Sequence, residues 1–229
     1  MIKEILVFGY NEYAKEITSN FIKEKIHVHV YVLDEASLED AKEDGIRVEL
    51  VELDDDWLDI EKNFDINEII CFCALDDDAQ NVFLTISLRA EYENIQIISL
   101  ATSKNSADKL RLAGANKAIP KLETVANLIV ETLEKPAVVE ALHEIFYRNK
   151  NLKLAEYRIT ETSVLNNTYM HEVKLHEEYN VIILAIANEE IELKFSFTAH
   201  QDNHKIKKDD VLAVIGIEKD LEAFEKAIL

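Results

Sequence analysis

ILVFGYNEYA, residues 5–14, has the pattern of a short buried strand that runs into a glycine turn and then into a helix. Asp34 lies 20 residues beyond Ala14, at the end of the next apolar run. This is the layout of a dinucleotide-binding β-turn-α-β unit. The middle glycine of the G-x-G-x-x-G/A pattern is Asn11 here, so the scaffold is predicted while its usual ligand is placed in doubt.

Each position of this unit has a separate task. Gly9 permits the tight turn off the strand, and Ala14 is small enough for the helix to pack on the sheet. A Cβ at the middle position obstructs a pyrophosphate, whereas Asn tolerates left-handed backbone angles, so the turn can survive without a phosphate site. Asp34 has three interpretations: an acceptor for a ribose hydroxyl, a solvated strand-end acid, or the N-cap of the following helix.

Composition limits the class of protein. The chain has 229 residues, 48% of them hydrophobic, enough for one large domain or two small ones. It has no run of ~20 apolar residues, so we expect no direct insertion into a membrane. Because Met1 leads straight into the first strand, we expect no signal peptide. Cys71 and Cys73, the only cysteines, are predicted to be reduced core thiols of a cytosolic protein.

The charge of the chain is strongly negative. The formal net charge is −20, and residues 39–68 supply half of it with thirteen acids against three bases. Such a surface repels nucleic acid and anionic lipid, so we predict no nucleic-acid partner.

The first half of the chain alternates β-rich runs with amphipathic helical segments, which indicates β-α-β crossovers and a parallel sheet. Strands are predicted at 4–8, 28–33, 47–52, 69–74, 95–100 and 115–119, and helices at 12–24, 36–43, 79–91 and 104–113. The predicted fold class is α/β, a Rossmann-like parallel sheet with helices on both faces, over residues 1–119.

The pattern changes at Pro120. A helix is predicted over 121–134, Pro136 interrupts it, and a second helix follows. This kinked pair, residues 120–150, is either a crossover and dimerisation element or the closing helix of the first domain. A small α+β domain is predicted over 151–229, with strands at 154–159, 181–187, 192–197 and 211–217 and helices at 168–177 and 218–228.

Carboxylates cluster where the fourth strand ends. Asp76-Asp77-Asp78 lies just before Asn81, at the edge of the sheet where open α/β folds bind ligands. Helix capping explains one or two of these acids. As a set they predict a cation site for Ca2+, to which residues 54–56 could add oxygen ligands. No order of Ser, His, Asp and Cys residues gives a nucleophile, so we predict that the protein is not an enzyme.

Together these segments resemble the RCK family, the regulator-of-potassium-conductance domains also found in KTN and TrkA proteins. Residues 5–10 are similar to the family's first strand and turn, residues 74–81 to its acid-rich segment, and residues 210–216 to its closing strand. The most specific match is KLRLAGANKAIP, residues 109–120, which is similar to the leucine-arginine-x-alanine-glycine-alanine signature ending in proline. The resemblance covers essentially the whole chain.

The resemblance implies a TrkA-N domain, a crossover and a TrkA-C domain that together regulate a membrane potassium channel or transporter. Such a domain or subunit is cytoplasmic, lies at the inner face of the cell membrane, and forms homodimers and octameric rings. The ligand would be an adenine nucleotide, namely NAD(H), ADP, ATP or AMP, or Ca2+. The residues predicted to bind it are Gly9, Tyr10, Asn11, Glu12, Asp34, Asp76, Asp78 and Asn81.

Three departures from the family pattern bear on this assignment. Asn11 replaces a glycine, residues 99–102 replace the glutamates of some calcium-gated relatives, and Asp209 stands where a turn glycine is expected. The alternatives are an NAD(P)-binding oxidoreductase and a ligand-independent RCK scaffold. The chain is either a free-standing regulatory subunit or the cytoplasmic portion of a longer channel.

Overall fold

The computed structural model describes residues 4–53, 57, 59–148, 151–169, 172, 179–187, 196–197 and 205–228. The chain divides into two compact units, Met1–Val130 and Glu131–Leu229. The boundary falls inside the first of the two predicted crossover helices, so a separate crossover segment over 120–150 stays a prediction. Among the described helices, none is long and apolar enough to span a membrane.

The first unit is built on a parallel sheet of strand order β3-β2-β1-β4-β5-β6. Its strands are β1 (Glu4–Phe8), β2 (His27–Val32), β3 (Val48–Leu50), β4 (Ile69–Cys73), β5 (Gln96–Ala101) and β6 (Lys117–Pro120). In this order, which doubly wound dinucleotide-binding folds share, the sequence of strands reverses between β1 and β4. The predicted Rossmann-like fold class is confirmed.

Helices connect these strands, namely α1 (Glu12–Lys23), α2 (Glu35–Glu43), α3 (Asp59–Asn63), α4 (Asp78–Glu91) and α5 (Lys104–Leu112). Helices α1, α2, α4 and α5 are each capped by a side-chain oxygen that accepts a hydrogen bond from a backbone amide of the first turn. The capping residues are, in order, Asn11, Asp34, Asp77 and Ser103. The predicted helices begin at or next to these bounds. Helix α3 was not predicted, because its five residues are too few for a helical period to show.

Alternation along β1 divides the core of this unit into two layers, because successive strand side chains face opposite sides of the sheet. Ile5 and Val7 pack with residues of α1 and α2. Leu6 and Phe8 pack on the opposite side with residues of α3, α4 and α5. The free thiols of Cys71 and Cys73 are buried in this second layer.

Residues 109–120 end α5 with a tight turn that holds an arginine side chain from α4. Gly114 has φ +108°, and a Cβ there would lie 2.8 Å from Arg89 Cγ. Arg89 donates from Nε and Nη2 to the Gly114 carbonyl, at 3.1 and 2.9 Å, and from Nη2 to Asn116 Oδ1 at 2.8 Å. Asn116 Oδ1 also accepts from the Ile97 amide, so this turn is tied to both α4 and β5.

Arg89→Ala is expected to lower the free energy of unfolding by about 2–4 kcal/mol, because several charged hydrogen bonds are lost and the Gly114 carbonyl loses a donor. Arg111→Ala is the matched control, since Arg111 pairs with Asp108 at the half-exposed surface of α5. Its loss should cost less than about 1 kcal/mol. Urea unfolding followed by circular dichroism measures both, and equal losses would contradict the role given to Arg89.

Two helices follow β6, α6 (Lys121–Glu134) and α7 (Pro136–His143), and a π-helical turn, Glu144–Arg148, extends the second. The predicted break at Pro136 is observed. Pro136 takes the first position of α7, where its missing N–H breaks no helical hydrogen bond. Neither α6 nor α7 buries a residue. Exposed apolar side chains on α6 are Leu122, Val125, Leu128, Ile129, Val130 and Leu133.

The second unit contains an antiparallel sheet of order β7-β10-β8-β9. Its elements are β7 (Leu152–Arg158), β8 (Ile182–Ala187), β9 (Ser196–Phe197), β10 (Val211–Ile217) and helix α8 (Glu218–Ile228). One core joins sheet and helix through residues such as Tyr157, Leu212, Val214, Leu221 and Phe224. Most of the predicted helix 168–177 and strand 192–197 lies outside the described residues. Tyr169, predicted to be helical, instead forms an isolated bridge with Lys205.

The turn into β10 explains how an acid replaces an expected glycine. Asp209 has φ +71°, a left-handed angle that Asp adopts more readily than most residues. The next residue, Asp210, is 4% exposed and closes the turn by accepting from the Lys207 amide at 2.8 Å.

Candidate functional site

The carboxyl edge of the first sheet comprises the ends of β1, β2, β4 and β5 and the loops that follow them. There the turn after β1 lies against the end of β4. Gly9 has φ +104°, and its amide donates to the Tyr31 carbonyl at 2.8 Å. A Cβ at Gly9 would lie 2.7 Å from the carbonyl oxygen of Ala74, too close for a normal contact. Glycine therefore meets both the backbone angle and the close packing.

Asn11 fills the space beside that turn with its side chain. Its backbone is extended, with φ −76° and ψ 178°, so the turn does not use the left-handed angles that Asn tolerates. Its Oδ1 caps α1 by accepting from the Ala14 amide at 3.1 Å. Its Nδ2 donates to the Ala74 carbonyl and to Asp76 Oδ1, both at 2.8 Å. One side-chain amide thus joins the β1–α1 turn to the β4–α4 loop.

This arrangement disfavours a phosphate at the start of α1. The middle glycine of the fingerprint lets a pyrophosphate come close, and here the Asn11 side chain stands at that position. Anions at a helix start use free amides and the positive end of the helix dipole. Here Asn11 occupies the Ala14 amide, and Glu12 and Asp76 add negative charge nearby.

The two residues on either side of Asn11 have different surroundings. Tyr10 is 6% exposed, packs in the core layer shared with α1 and α2, and donates its hydroxyl to Asp44 Oδ2 at 2.9 Å. Burial, and then this hydrogen bond to Asp44, raises the pKa of Tyr10 above its usual range. Glu12 is exposed in the first turn of α1. Of the two predicted binding residues, Tyr10 is a core residue and Glu12 is accessible.

Asp34, at the end of β2, is the N-cap of α2. Its Oδ1 accepts from the Ser37 amide at 2.9 Å, and its Oδ2 accepts from the Ser37 hydroxyl at 2.8 Å. The bond from the amide, followed by the bond from the hydroxyl, lowers the pKa of Asp34 below its usual value. The capping interpretation is confirmed. A carboxylate has about four acceptor positions, so Asp34 keeps capacity for a ribose hydroxyl.

Asp76, Asp77 and Asp78 hydrogen-bond to three separate sets of partners. Asp76 accepts from Asn11, as described above. Asp77 accepts from two amides of the first turn of α4, at 2.7 and 3.0 Å. Asp78 accepts from the Thr102 amide at 3.0 Å and also from the Thr102 hydroxyl.

The predicted Ca2+ site at Asp76, Asp77 and Asp78 is not formed by the described residues. Where the chain is described, no group of three or more His, Cys, Asp or Glu side chains is placed to hold a metal ion. The physical reason is that adjacent residues at a helix start point in different directions, and each of these carboxylates satisfies a different loop or helix. Residues 54–56, predicted as further ligands, lie outside the described residues.

Asp78 and Asn81 fasten the β4–α4 loop in place. Burial raises the pKa of Asp78, but hydrogen bonds from Ser106 and Thr102 outweigh this and lower it below its usual value. Asn81 is 1% exposed, and its amide accepts from the Leu75 amide at 3.0 Å and donates to the Leu75 carbonyl at 2.8 Å. Asn81, predicted to bind a ligand, is thus buried, and its side chain instead hydrogen-bonds the backbone of the β4–α4 loop. Neither Thr102 nor Ser106 was predicted as a binding residue.

Gly9→Ala is expected to lower the free energy of unfolding by about 3 kcal/mol or more, because strain at a left-handed φ adds to overlap with Ala74. Gly45→Ala is the matched control: Gly45 has φ +71°, and apart from Gly45 and its two chain neighbours no residue has an atom within 4 Å of the Cβ position. It should cost only the backbone strain of about 1–2 kcal/mol. Urea unfolding compares them, and equal losses would show that the approach to Ala74 imposes no constraint.

Residues 5–121, about half of the chain, match the TrkA-N domain family, and this chain belongs to that family. The predicted resemblance to RCK and TrkA-N proteins is thereby confirmed. Over 224 residues the chain is 25% identical to potassium channel protein 1 of Methanocaldococcus jannaschii, an alignment that covers 97% of this chain and 66% of that protein. The chain thus spans about two thirds of the length of this relative.

Two solved structures share the fold at low identity. The human SLO3 gating ring matches with a TM-score of 0.68 and 14% identity, over 99% of this chain and 46% of its own. The NAD(P)-binding domain of an exopolyphosphatase-related protein from Archaeoglobus fulgidus matches with a TM-score of 0.51 and 15% identity, over 59% of this chain and 99% of its own. The fold of nearly the whole chain, and not the first sheet alone, is therefore shared with a gating ring.

Proposed function

We propose that this chain is the cytoplasmic regulatory domain or subunit of a potassium channel or transporter, and that its partner is a membrane pore subunit. The observation that carries the proposal is the relationship of 97% of the chain to a potassium channel protein. The shared fold with a gating ring supports it. Such a regulator has two conformations, and a ligand that binds one of them better shifts the population and with it the K+ flux.

Rubidium flux tests the regulatory role directly. An in-frame deletion of this segment in the source cells is expected to change the rate of rubidium uptake or efflux. The matched control is the full gene reintroduced on a plasmid, which should restore the original rate. Identical rubidium flux with and without the segment would contradict the proposal.

A regulator is favoured over an NAD(P)-binding oxidoreductase, although both use this fold. Hydride transfer requires a firmly held dinucleotide. Asn11 stands at the position where a pyrophosphate would approach, and Asp76 brings a carboxylate to the same place. The polar side chains of Asp77, Asp78 and Asn81 fasten the backbone of the carboxyl edge.

The ligand we propose for the carboxyl edge is an adenine nucleotide recognised mainly through its nucleoside. Asp34 offers an ionised acceptor for ribose hydroxyls, whereas the phosphate end meets Asn11, Asp76 and Glu12. We therefore expect AMP to bind more tightly than ADP or ATP, whose further phosphates add negative charge beside carboxylates. We also expect AMP to bind more tightly than NAD(H), whose pyrophosphate must approach the position that Asn11 fills.

Asn11→Gly is expected to strengthen NADH binding at least tenfold, because it removes the obstructing amide and restores the middle glycine. Asn11→Asp is the matched variant: it keeps a capping side chain but adds a negative charge, so it should weaken NADH further. NADH fluorescence and isothermal titration calorimetry measure both, with AMP titrated in parallel.

Two outcomes would contradict this assignment. Equal NADH affinity in the original protein and in Asn11→Gly would show that Asn11 does not exclude the pyrophosphate. If AMP, NADH, ADP and ATP all fail to stabilise the protein, the ligand-independent scaffold replaces the nucleotide proposal. Ligand at 100 times its dissociation constant adds about 2.7 kcal/mol to stability, which thermal unfolding detects easily.

We further propose that the chain forms homodimers through α6 and α7, and larger rings in its complex with the pore. The apolar side chains of α6 lie on the surface: Val125 is 51%, Ile129 55% and Leu133 77% exposed. Their spacing of four residues puts them on one face of the helix. An exposed apolar stripe of this kind marks a protein interface.

Ile129→Glu is expected to weaken the homodimer about 100-fold, because a carboxylate replaces an apolar side chain that the dimer would bury. Asn127→Glu adds the same charge at an exposed polar position of α6 and should leave the dissociation constant within about threefold. Sedimentation equilibrium measures both. A monomeric original protein at high concentration, or equal effects of the two substitutions, would contradict the interface.

A further inference from the structure

A cavity lies at the amino edge of the first sheet, the end opposite to the carboxyl edge. It has a volume of about 430 Å³ and opens between the end of α1, the starts of β1 and β2, and the side chain of Phe64. Sites for small molecules have volumes of about 300–1,000 Å³. The cavity is therefore large enough for a ligand of its own.

The wall of this amino-edge cavity is basic, in a chain whose net charge is −20. Lys25, His27, His29 and Arg47 line it, against a single acid, Glu4. Glu4 lies 3.9 Å from His27 Nδ1. Across the described residues, neither Lys25 nor Arg47 forms an ion pair. Two unpaired cations beside a cavity attract an anion.

His29 is the buried polar residue of the cavity wall. Its side chain is 6% exposed, with the ring stacked on Tyr31 at 4.9 Å and edge-on to Phe64 at 5.5 Å. Its Nε2 lies 3.2 Å from Glu49 Oε1, a carboxylate that does not line the cavity.

We propose that the amino-edge cavity binds a small organic anion. Its carboxylate or phosphate group pairs with Arg47 and Lys25, and its apolar part packs against Ile26 and Phe64, which also line the cavity. Arg47 suits this role because a guanidinium binds either group through two parallel hydrogen bonds. The proposal is independent of the regulatory role and of any nucleotide at the carboxyl edge.

Four probes of one shape test the charge requirement: benzoate, phenyl phosphate, benzyl alcohol and benzylamine. We expect saturable NMR shifts of the His27 and His29 ring signals with benzoate and phenyl phosphate, and none with benzylamine. The stronger of the two anions identifies the group that the cavity prefers. Equal shifts from benzylamine or benzyl alcohol, or no saturable shift from either anion, would overturn the proposal.

Arg47→Glu tests the site by substitution and is expected to raise the dissociation constant of the better anion at least tenfold. Lys42→Glu makes the same charge change in the last turn of α2 and should leave it within about twofold. Arg47→Gln removes the charge without reversing it and is the milder change if Arg47→Glu misfolds. Its dissociation constant for the anion should lie between those of Arg47→Glu and Lys42→Glu. Equal binding by Arg47→Glu and Lys42→Glu would show that Arg47 does not hold the anion.

Discussion

The arrangement of the carboxyl edge depends on the contact between the β1–α1 turn and the end of β4. β1 and β4 are the central pair of the sheet, so the halves β3-β2-β1 and β4-β5-β6 join at this pair. Gly9 lets the turn approach the Ala74 carbonyl, and Asn11 then binds the same carbonyl with its amide. The glycine provides the space and the asparagine provides the hydrogen bond.

The same contact separates what the fold requires from what a dinucleotide requires. At φ −76° position 11 makes no conformational demand for glycine, since any residue adopts that angle. In the G-x-G-x-x-G/A pattern the middle glycine leaves room for the pyrophosphate, whereas Gly9 is needed for the turn itself. Asn11 also caps α1 well. The chain can therefore keep the strand order and the first helix while it loses the phosphate site.

Local patterns predicted the fold, whereas the site depended on contacts that one segment of sequence does not contain. Helix starts followed from capping residues that act within three positions, as Asp34 does on Ser37. Asp78 and Thr102 lie 24 residues apart, and their bond exists because β4 and β5 pair in one register. Adjacent carboxylates at 76–78 suggested a cation because sequence shows adjacency but not direction. Because asparagine is polar, nothing in the sequence indicated that Asn81 is buried.

The two edges of the first sheet carry different charges, with carboxylates at the carboxyl edge and Lys25 and Arg47 at the amino edge. β1 has five residues, so its ends are about 17 Å apart, whereas the Debye length at physiological salt is about 8 Å. The carboxylates at one edge therefore leave the field of Arg47 at the other largely intact. β2 reaches both edges, because His29 lies near its start and Asp34 follows its end. Coupling between ligands at the two edges would thus run through the packing of β2 rather than through charge.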